Sequence, residues 1–247
     1  QGARDTQRAQ DVNSPAPQPM KQLALDIGLA PVPTLENFVP VGNEAALDHL
    51  RLWVGNPQRS PVPTYLWGEG GSGKTHLLRA VREALREHGA PVGWMDAASH
   101  DPADFDERWE AVLLDDVHLY TATQQAAAFN WFVNAQNPAH GPARWVLATS
   151  DRPPADLLLR EDLRTRLGWG HVYQLRALGE SERRSVLRRA ADERGVFLGD
   201  EVMDFMLTRF SRDLSSLMLL LERLDGYALR TQRAITIPLI RSMLEDE

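Results

Sequence analysis

The sequence lacks the features that mark several classes of protein. It contains no cysteine, which excludes disulfide bonds and cysteine-ligated zinc sites. It has no run of about 18 apolar residues and no apolar signal segment, so we predict neither a membrane span nor a membrane partner. Positive charge is in deficit, because 27 Lys and Arg face 34 Asp and Glu, a net charge of −7. Domains that hold DNA phosphates are usually basic, so we expect protein partners. The absence of cysteine fits a reducing compartment, so we expect a cytoplasmic protein.

Three regions follow one another along the 247 residues. Residues 1–19 are polar, contain three prolines and show no helix or strand period. A short apolar segment follows, and Pro31 and Pro33 mark a linker, so we predict a disordered tail and linker over residues 1–33. Residues 34–177 alternate short apolar runs with amphipathic stretches. Residues 178–247 carry helical patterns alone. This order predicts an α/β domain followed by a small all-helical domain.

The predicted strands and helices come from these patterns. The strands of the α/β domain are Tyr65–Gly68, Val92–Asp96, Val112–Asp115, Arg144–Thr149 and Val172–Leu175. Its helices are Asn43–Val54, Lys74–His88 and Thr121–Gln136. Strands that alternate with helices indicate a parallel sheet covered on both faces. The helices of the second domain are Glu182–Gly195, Asp200–Phe210, Asp213–Arg230 and a short one that begins near Ile237.

The most specific motif is a glycine-rich segment between a predicted strand and a predicted helix. It reads GEGGSGKT and runs from Gly68 to Thr75. Glycines let the backbone N–H groups turn toward phosphate oxygens, and the helix N-terminus adds the positive end of its dipole. Lys74 would reach the β- and γ-phosphates, and Thr75 would offer its hydroxyl to Mg²⁺. The predicted nucleotide-binding residues are Gly68, Gly70, Gly71, Ser72, Gly73, Lys74 and Thr75.

Polar side chains also follow two other predicted strands. The carboxyl ends of parallel strands open onto the ligand crevice, so Asp115 could hold Mg²⁺ together with Thr75. Asp116 sits where a water-activating carboxylate would be useful. Residues 146–152 end in hydroxyls and Asp151, which either contact the γ-phosphate and its attacking water or simply form a turn. Asp116 and Asp151 are therefore the candidate catalytic acids.

A basic segment, Asp162–Gly170, leaves two interpretations open. It is either a solvated helix end, where basic residues are favoured by the helix dipole, or a surface that presents one arginine to a neighbouring subunit's nucleotide. In the second interpretation the arginine stabilises the charge that develops during phosphoryl transfer.

Together these motifs resemble the AAA+ region of the bacterial replication initiator DnaA, from about residue 38 to the C-terminus. The agreement is closest at residues 114–117 (LDDV), 149–152 (TSDR), 166–170 (RLGWG) and 233–237 (RAITI). The DNA-binding domain of DnaA would need about 90 further residues with a helix-turn-helix pattern, and we expect none here. The resemblance thus narrows to the Hda family, regulatory inactivators of DnaA.

The fold that this resemblance implies is a P-loop AAA+ domain, a parallel five-stranded sheet flanked by helices, followed by a helical lid. It also implies that Phe38, Val41 and His76 join the P-loop in binding ADP or ATP with Mg²⁺. Arg166 matches the family's trans-acting arginine and would enter the ATP site of DnaA. Hydrolysis there would convert the initiator to its inactive ADP form.

The N-terminal tail contains a second family feature. Gln22, Leu23, Leu25 and Ile27 fit the spacing of the peptide by which the Hda family docks on the DNA polymerase III sliding clamp, its beta subunit. Without the resemblance, the same segment would be interpreted as a short edge strand packing on its own domain. A flexible tether and a proline linker suit a peptide that reaches for a pocket. DNA would then be contacted only through the clamp, and a homodimer is a further expectation.

One position departs from the family pattern. DnaA-like proteins carry a lid arginine that contacts the nucleotide phosphates, and the matching position here is Ser215. Arg212, about one helical turn earlier, could partly substitute. We therefore predict that the protein itself hydrolyses ATP weakly or not at all. A bound nucleotide, above all ADP, would instead stabilise the conformation of the protein. The alternatives are a self-sufficient ATPase, such as a helicase loader, and a DNA-binding initiator paralogue.

Overall fold

The computed structural model describes residues 32–56, 60–210 and 214–245. The predicted clamp-binding residues Gln22, Leu23, Leu25 and Ile27 lie outside the described residues, as does Arg212. Within the described ranges, no helix is both long enough and apolar enough to cross a membrane.

The first domain is built on a five-stranded sheet in which every pairing is parallel. Its strands are β1 (Thr64–Trp67), β2 (Val92–Met95), β3 (Ala111–Leu114), β4 (Trp145–Ser150) and β5 (His171–Gln174). The spatial order is β2-β3-β4-β1-β5. The strands β3, β4 and β1, which precede the three polar motifs, are therefore consecutive neighbours, and their carboxyl ends meet at one edge.

Eight α-helices surround or follow the sheet in the described residues. They are α1 (Glu44–Gly55), α2 (Lys74–Glu87), α3 (Ala122–Gln136), α4 (Glu161–Leu167), α5 (Glu180–Glu193), α6 (Asp200–Arg209), α7 (Leu214–Thr231) and α8 (Ile237–Glu245). Leu47 and Leu78 of α1 and α2 belong to the core on one face of the sheet, and Phe132 and Leu163 of α3 and α4 to the core on the other. The sheet is thus covered on both faces, as predicted.

The helices α5 to α8 have an apolar core of their own. Leu187, Met203, Leu217 and Ile240 contribute one residue from each helix, and all four are fully or almost fully buried. Side chains that meet in this way let four short helices stabilise one another, because each buries its apolar stripe against the others. The predicted fold class, a parallel five-stranded sheet with helices and then a small helical unit, is confirmed.

The element boundaries differ from the prediction by small amounts, with one exception. Each strand lies within one residue of its predicted start, and α5 begins at Glu180 rather than Glu182. The exception is α4, because the basic segment was predicted only as a helix end and forms a separate seven-residue helix. Acidic residues occupy its first turn and Arg164 and Arg166 its last, the arrangement that the helix dipole favours.

Candidate functional site

The segment between β1 and α2 has the backbone shape of a phosphate-binding loop. Gly71 and Gly73 have φ values of +81° and +93°, a region that L side chains rarely adopt. A Cβ on Gly73 would also lie 2.5 Å from the Phe38 ring. The N-terminus of α2 follows directly, with Gly73 as its N-cap. Backbone N–H groups and the positive end of the helix dipole therefore converge on one small space.

Two polar side chains of this loop are buried. The Lys74 ammonium group donates hydrogen bonds to the carbonyl oxygens of Gly68, at 2.8 Å, and Glu69, at 3.1 Å. The hydroxyl oxygen of Ser72 is buried and has no hydrogen-bond partner among the described residues. A buried hydroxyl without a partner is costly, and a phosphate oxygen would satisfy it. The loop thus offers one cation and one unsatisfied polar group to an anion.

Gly68 and Gly70 provide a matched pair for testing this geometry. A Cβ at Gly68 would lie 2.1 Å from the carbonyl oxygen of Leu175, whereas a Cβ at Gly70 would meet nothing within 4 Å. Leu175 cannot retreat easily, because its N–H donates to the carbonyl oxygen of Trp67. We expect Gly68→Ala to lower the free energy of unfolding by about 1–3 kcal/mol through overpacking.

The Gly70→Ala variant should change the free energy of unfolding by no more than about 0.5 kcal/mol, the usual range of an exposed substitution. Both values can be measured by urea denaturation of the full chain. Equal stability of the two variants would contradict the close packing of Gly68 against Leu175.

Residues from α2, β3 and β4 form a hydrogen-bonded cluster beside the loop. The hydroxyls of Thr75 and Thr149 both donate to Oδ1 of Asp115, at 3.2 Å and 2.7 Å. The backbone N–H of Asp116 in turn donates to the Thr149 hydroxyl at 2.8 Å. The structure thus brings together Thr75 and Asp115, the two predicted metal ligands. Hydroxyl and carboxylate oxygens are the donors that Mg²⁺ prefers, so the residues fit this ion.

Burial raises the pKa of the Asp115 carboxyl above its ordinary value of 3.8, although bonds from Thr149 and Thr75 oppose the shift. The folded state therefore holds this proton more tightly than the unfolded chain. The stability contributed by the proton is complete below pH 3.8 and is lost as the pH rises through the folded-state pKa. We expect Asp115→Asn to raise the melting temperature at pH 7.5, and the gain should shrink as the pH is lowered toward 4.

Asp151 supplies the control with the opposite sign. Hydrogen bonds from Arg152 lower its pKa, so its charged form stabilises the fold at neutral pH. Asp151→Asn should therefore lower the melting temperature at pH 7.5. Thermal denaturation of both variants across this pH range checks the pair. A lower melting temperature for Asp115→Asn at pH 7.5 would show that burial does not dominate at this carboxyl.

The two candidate catalytic acids occupy different surroundings. Asp116 is half-buried, two residues after the end of β3, with a left-handed backbone at φ 47°. Both carboxylate oxygens of Asp151 accept bonds from Arg152, and Oδ1 also lies 3.6 Å from Nδ1 of His118. Thr149, rather than Asp151, is the residue of this segment that contacts the metal-ligand cluster. Hydroxyls at this strand end are visible in the sequence, but nothing there distinguishes Thr149 from Ser150.

A cavity of about 180 Å³ lies over the phosphate loop. Its lining includes Phe38, His76 and Ser215, together with Asn43, the residue that precedes α1. Val41 is not among the lining residues and is more than a third exposed, so the structure does not bring it together with the loop. Val39, two residues before Val41, lines the cavity instead. The predicted residues Gly70 to Gly73, Phe38 and His76 are thus gathered around one space.

The structure adds one pair of residues that sequence reasoning missed. The Asn43 amide donates to the carbonyl oxygen of Arg176 at 3.0 Å and accepts from the Arg176 N–H at 2.8 Å. This exchange fixes the start of α1 against the segment after β5. Asn43 reads as an ordinary helix-start residue, and nothing local indicates a partner 133 positions away.

Residues 32–40 form a strap between the two domains. The strap closes on itself through reciprocal bonds between Thr34 and Asn37. The carbonyl oxygen of Thr34 lies 3.1 Å from Nε2 of His76 on α2, and the carbonyl oxygen of Asn37 accepts a bond from the Ser215 hydroxyl on α7 at 3.3 Å. Ser215, the position that the resemblance matches to a lid arginine, is therefore a buried contact between lid and strap.

The predicted trans-acting arginine lies on a separate surface. Arg166 is partly exposed in the last turn of α4 and lines a groove of about 940 Å³ between α3 and α4. Trp169, which is 70 % exposed, lines the same groove. This groove, at about 940 Å³, is larger than the cavity of about 180 Å³ over the phosphate loop. Among the described residues, no ion pair or hydrogen bond involves the Arg166 side chain.

Two protein-family models and a full-length relative match this chain. A model of the bacterial DnaA ATPase domain matches residues 29–99, and a model of the Hda lid domain matches residues 180–244. An uncharacterized protein of Haemophilus influenzae is 35 % identical over 232 residues, which cover 91 % of this chain and 98 % of that protein.

Solved structures share the fold at low identity. Domain III of the Thermotoga maritima replication initiation protein DnaA has a TM-score of 0.58 at 24 % identity, covering 88 % of this chain and 97 % of that one. AMPPCP-bound DnaA from Aquifex aeolicus has a TM-score of 0.59 at 21 % identity, covering 83 % and 70 %. A Thermotoga maritima RuvB mutant has a TM-score of 0.54 at 16 % identity, covering 89 % and 73 %.

The parallel sheet, the phosphate loop after its β1 strand and the helical lid define an AAA+ protein. The lid and the N-terminal half of the α/β domain carry the matches that are specific within this class. The chain belongs to the Hda/DnaA-like AAA+ proteins.

Proposed function

We propose that this protein is a negative regulator of replication initiation that promotes hydrolysis of ATP bound to DnaA. It supplies Arg166 in trans, docks on the sliding clamp through residues 22–27 and holds ADP in its own phosphate loop. The observation that carries the proposal is the state of Arg166. Arg166 is partly exposed on a short helix and lines a groove, and no ion pair with a carboxylate of the described residues involves its side chain. A free guanidinium on such a surface can stabilise charge on another protein's triphosphate.

Nucleotide binding by the protein itself is supported by the phosphate loop. Lys74, the unsatisfied Ser72 hydroxyl and the helix N-terminus favour an anion, and Ser72 and Gly73 line the cavity of about 180 Å³. Thr75 and Asp115 would hold Mg²⁺, which when bound neutralises phosphate charge. The DnaA of Aquifex aeolicus was solved with AMPPCP, an ATP analogue, which agrees with an adenine nucleotide.

A regulatory role without rapid turnover is supported by the lid. Ser215 lines the nucleotide cavity, but its hydroxyl carries no charge and donates to the strap at Asn37. The lid position at which DnaA-like proteins place a phosphate-contacting arginine therefore has a structural contact here. The protein can hold a nucleotide between domain and lid without supplying this cation to the transition state.

One observation favours the second candidate, a self-sufficient ATPase. The cluster of Thr75, Asp115 and Thr149 is complete, and Asp116 follows it directly. Such a cluster is what an AAA+ protein needs to bind Mg²⁺ and activate water. The two candidates differ in where hydrolysis occurs, so turnover by the isolated protein separates them.

The test is ATP hydrolysis in a mixture of DnaA, clamp-loaded DNA and this protein, with each component omitted in turn. The proposal requires that hydrolysis of DnaA-bound ATP rises when this protein is added and that the protein alone turns over slowly. Turnover by the protein alone at the rate of an ordinary AAA+ motor would favour the second candidate. No stimulation in the complete mixture would refute the regulator.

Clamp binding gives a separate prediction. The double variant Gln22→Ala, Leu23→Ala should lose binding to the clamp in a pull-down, because it removes the polar anchor and one apolar anchor of residues 22–27. Short peptides concentrate their binding energy in a few such anchors. The variant Arg166→Ala is the matched control and should bind the clamp as the wild type does. If the double variant still bound the clamp, the proposal that residues 22–27 dock on the clamp would be contradicted.

A further inference from the structure

Two arginines contact one aromatic ring beside the groove between α3 and α4. The guanidinium carbon of Arg160 lies 4.8 Å from the centroid of the Phe129 ring, and that of Arg166 lies 5.3 Å from it. Phe129 is on α3, whereas Arg160 precedes α4 and Arg166 is in its last turn. The ring is only partly exposed and packs against the apolar core between α3 and the sheet. It is therefore a fixed platform for both cations.

The two cations differ in their other contacts. Arg160 donates two hydrogen bonds of 2.7 Å to the carboxylate of Asp162, so its charge and its N–H groups are already engaged. Arg166 has no such partner among the described residues, and the ring of Phe129 is the contact that locates its guanidinium. A ring attracts a cation through its face and takes none of its N–H donors.

This difference matters for an arginine that acts on another protein. A carboxylate would also hold the guanidinium in place, but it would occupy the N–H donors and cancel the charge. Contact with an aromatic face restricts the side chain and leaves both the charge and the donors available. Restriction is valuable because a long side chain otherwise loses rotamer freedom when it binds.

We propose that Phe129 is a positioning residue that holds Arg166 in the orientation required at the partner's triphosphate. This proposal rests on the proposed function, in which Arg166 acts in trans. In this scheme Phe129 acts through Arg166, whose guanidinium it contacts. Misplacement of a catalytic group by about 1 Å can cost 100-fold in rate, so removal of the ring should have a large effect.

The test compares Phe129→Leu, which keeps an apolar side chain without a ring face, with Phe129→Tyr, which keeps the face. We expect Phe129→Leu to lower the maximal rate of stimulated DnaA ATP hydrolysis by about 10- to 100-fold. The concentration that gives half-maximal stimulation should stay unchanged, and Phe129→Tyr should restore the rate. Phe205→Leu is the matched control, because Phe205 lies under Arg241 in the lid, at 5.9 Å, and should keep the wild-type rate.

A second measurement does not depend on hydrolysis. Protons of the Arg166 guanidinium over a ring face should resonate upfield in NMR spectra of the labelled full chain, and Phe129→Leu should move them toward ordinary values. The same maximal rate in Phe129→Leu and wild type, or unchanged Arg166 resonances, would overturn the positioning role alone. Full stimulation by Arg166→Ala would instead overturn the proposed function, and the positioning role with it.

Discussion

Replacement of Arg166 by alanine should reduce stimulated hydrolysis of DnaA-bound ATP by about 10³- to 10⁵-fold, the range of arginines supplied in trans. The reason is electrostatic. The guanidinium is free of carboxylate partners in the described structure and would meet the charge that develops on the transferring phosphoryl group. Single-turnover hydrolysis on clamp-loaded DNA, with saturating amounts of the variant, measures this loss apart from docking.

Two further variants sharpen the result. Arg166→Lys keeps the positive charge but loses the planar fork of donors, so it should recover only part of the rate. Arg164→Ala removes a cation from the same helix that neither lines the groove nor contacts the Phe129 ring, and it should leave the rate within a few-fold of wild type. Equal losses for Arg164→Ala and Arg166→Ala would mean that general positive charge, and not one positioned arginine, drives stimulation.

Removal of the Lys74 ammonium should weaken ADP binding by about 10²- to 10⁴-fold. The estimate takes two charge-assisted hydrogen bonds to phosphate at about 1.5–3 kcal/mol each, with about 1.4 kcal/mol for each tenfold change in affinity. Lys74→Met is the suitable variant, because it keeps most of the buried stem while removing the charge. Isothermal titration of the full chain with ADP and Mg²⁺ measures the affinity.

The composition of the chain offers an independent check of Lys74. Lys21 and Lys74 are the only lysines of the sequence, so amine-specific labelling followed by mass spectrometry reports on two side chains alone. ADP with Mg²⁺ should protect Lys74 from the reagent, while Lys21 serves as the internal reference. Two results together would show that ADP does not bind at the phosphate loop. They are equal labelling of Lys74 with and without saturating ADP, and a wild-type affinity for ADP in Lys74→Met.

The parts of the site that were predictable from the sequence are local. The phosphate loop depends on glycines and a lysine at fixed spacing, and Asp115 and Asp116 directly follow their strand, so a short window contains the whole signal. The inner strands β1, β3 and β4 were predicted closely because parallel strands buried on both faces have continuous apolar sequences. The contact of Thr75 with Asp115 then joins residues that follow β1 and β3, the two strands on either side of β4.

The parts that were not predictable depend on contacts between distant segments. The bond of Ser215 to Asn37 joins residues 178 positions apart, and a serine inside a helical pattern carries no signal of such a partner. Phe129 reads as one more apolar residue of an amphipathic helix, because its role depends on where α4 crosses α3. Asp151 shows that a contact between adjacent residues can also be missed. Arg152 follows it directly in the sequence, but the sequence does not indicate that the Asp151 carboxylate accepts a hydrogen bond from Arg152.

The strap of residues 32–40 has a practical consequence for shortened versions of the protein. Thr34 meets α2, Phe38 covers Gly73, and Asn37 receives the lid. A deletion that ends before Val32 leaves these three contacts intact, whereas one that extends past Phe38 removes all of them at once. Shortened chains intended for calorimetry or crystallisation should therefore begin upstream of Val32, or else the nucleotide cavity and the seat of the lid will both be damaged by the design itself.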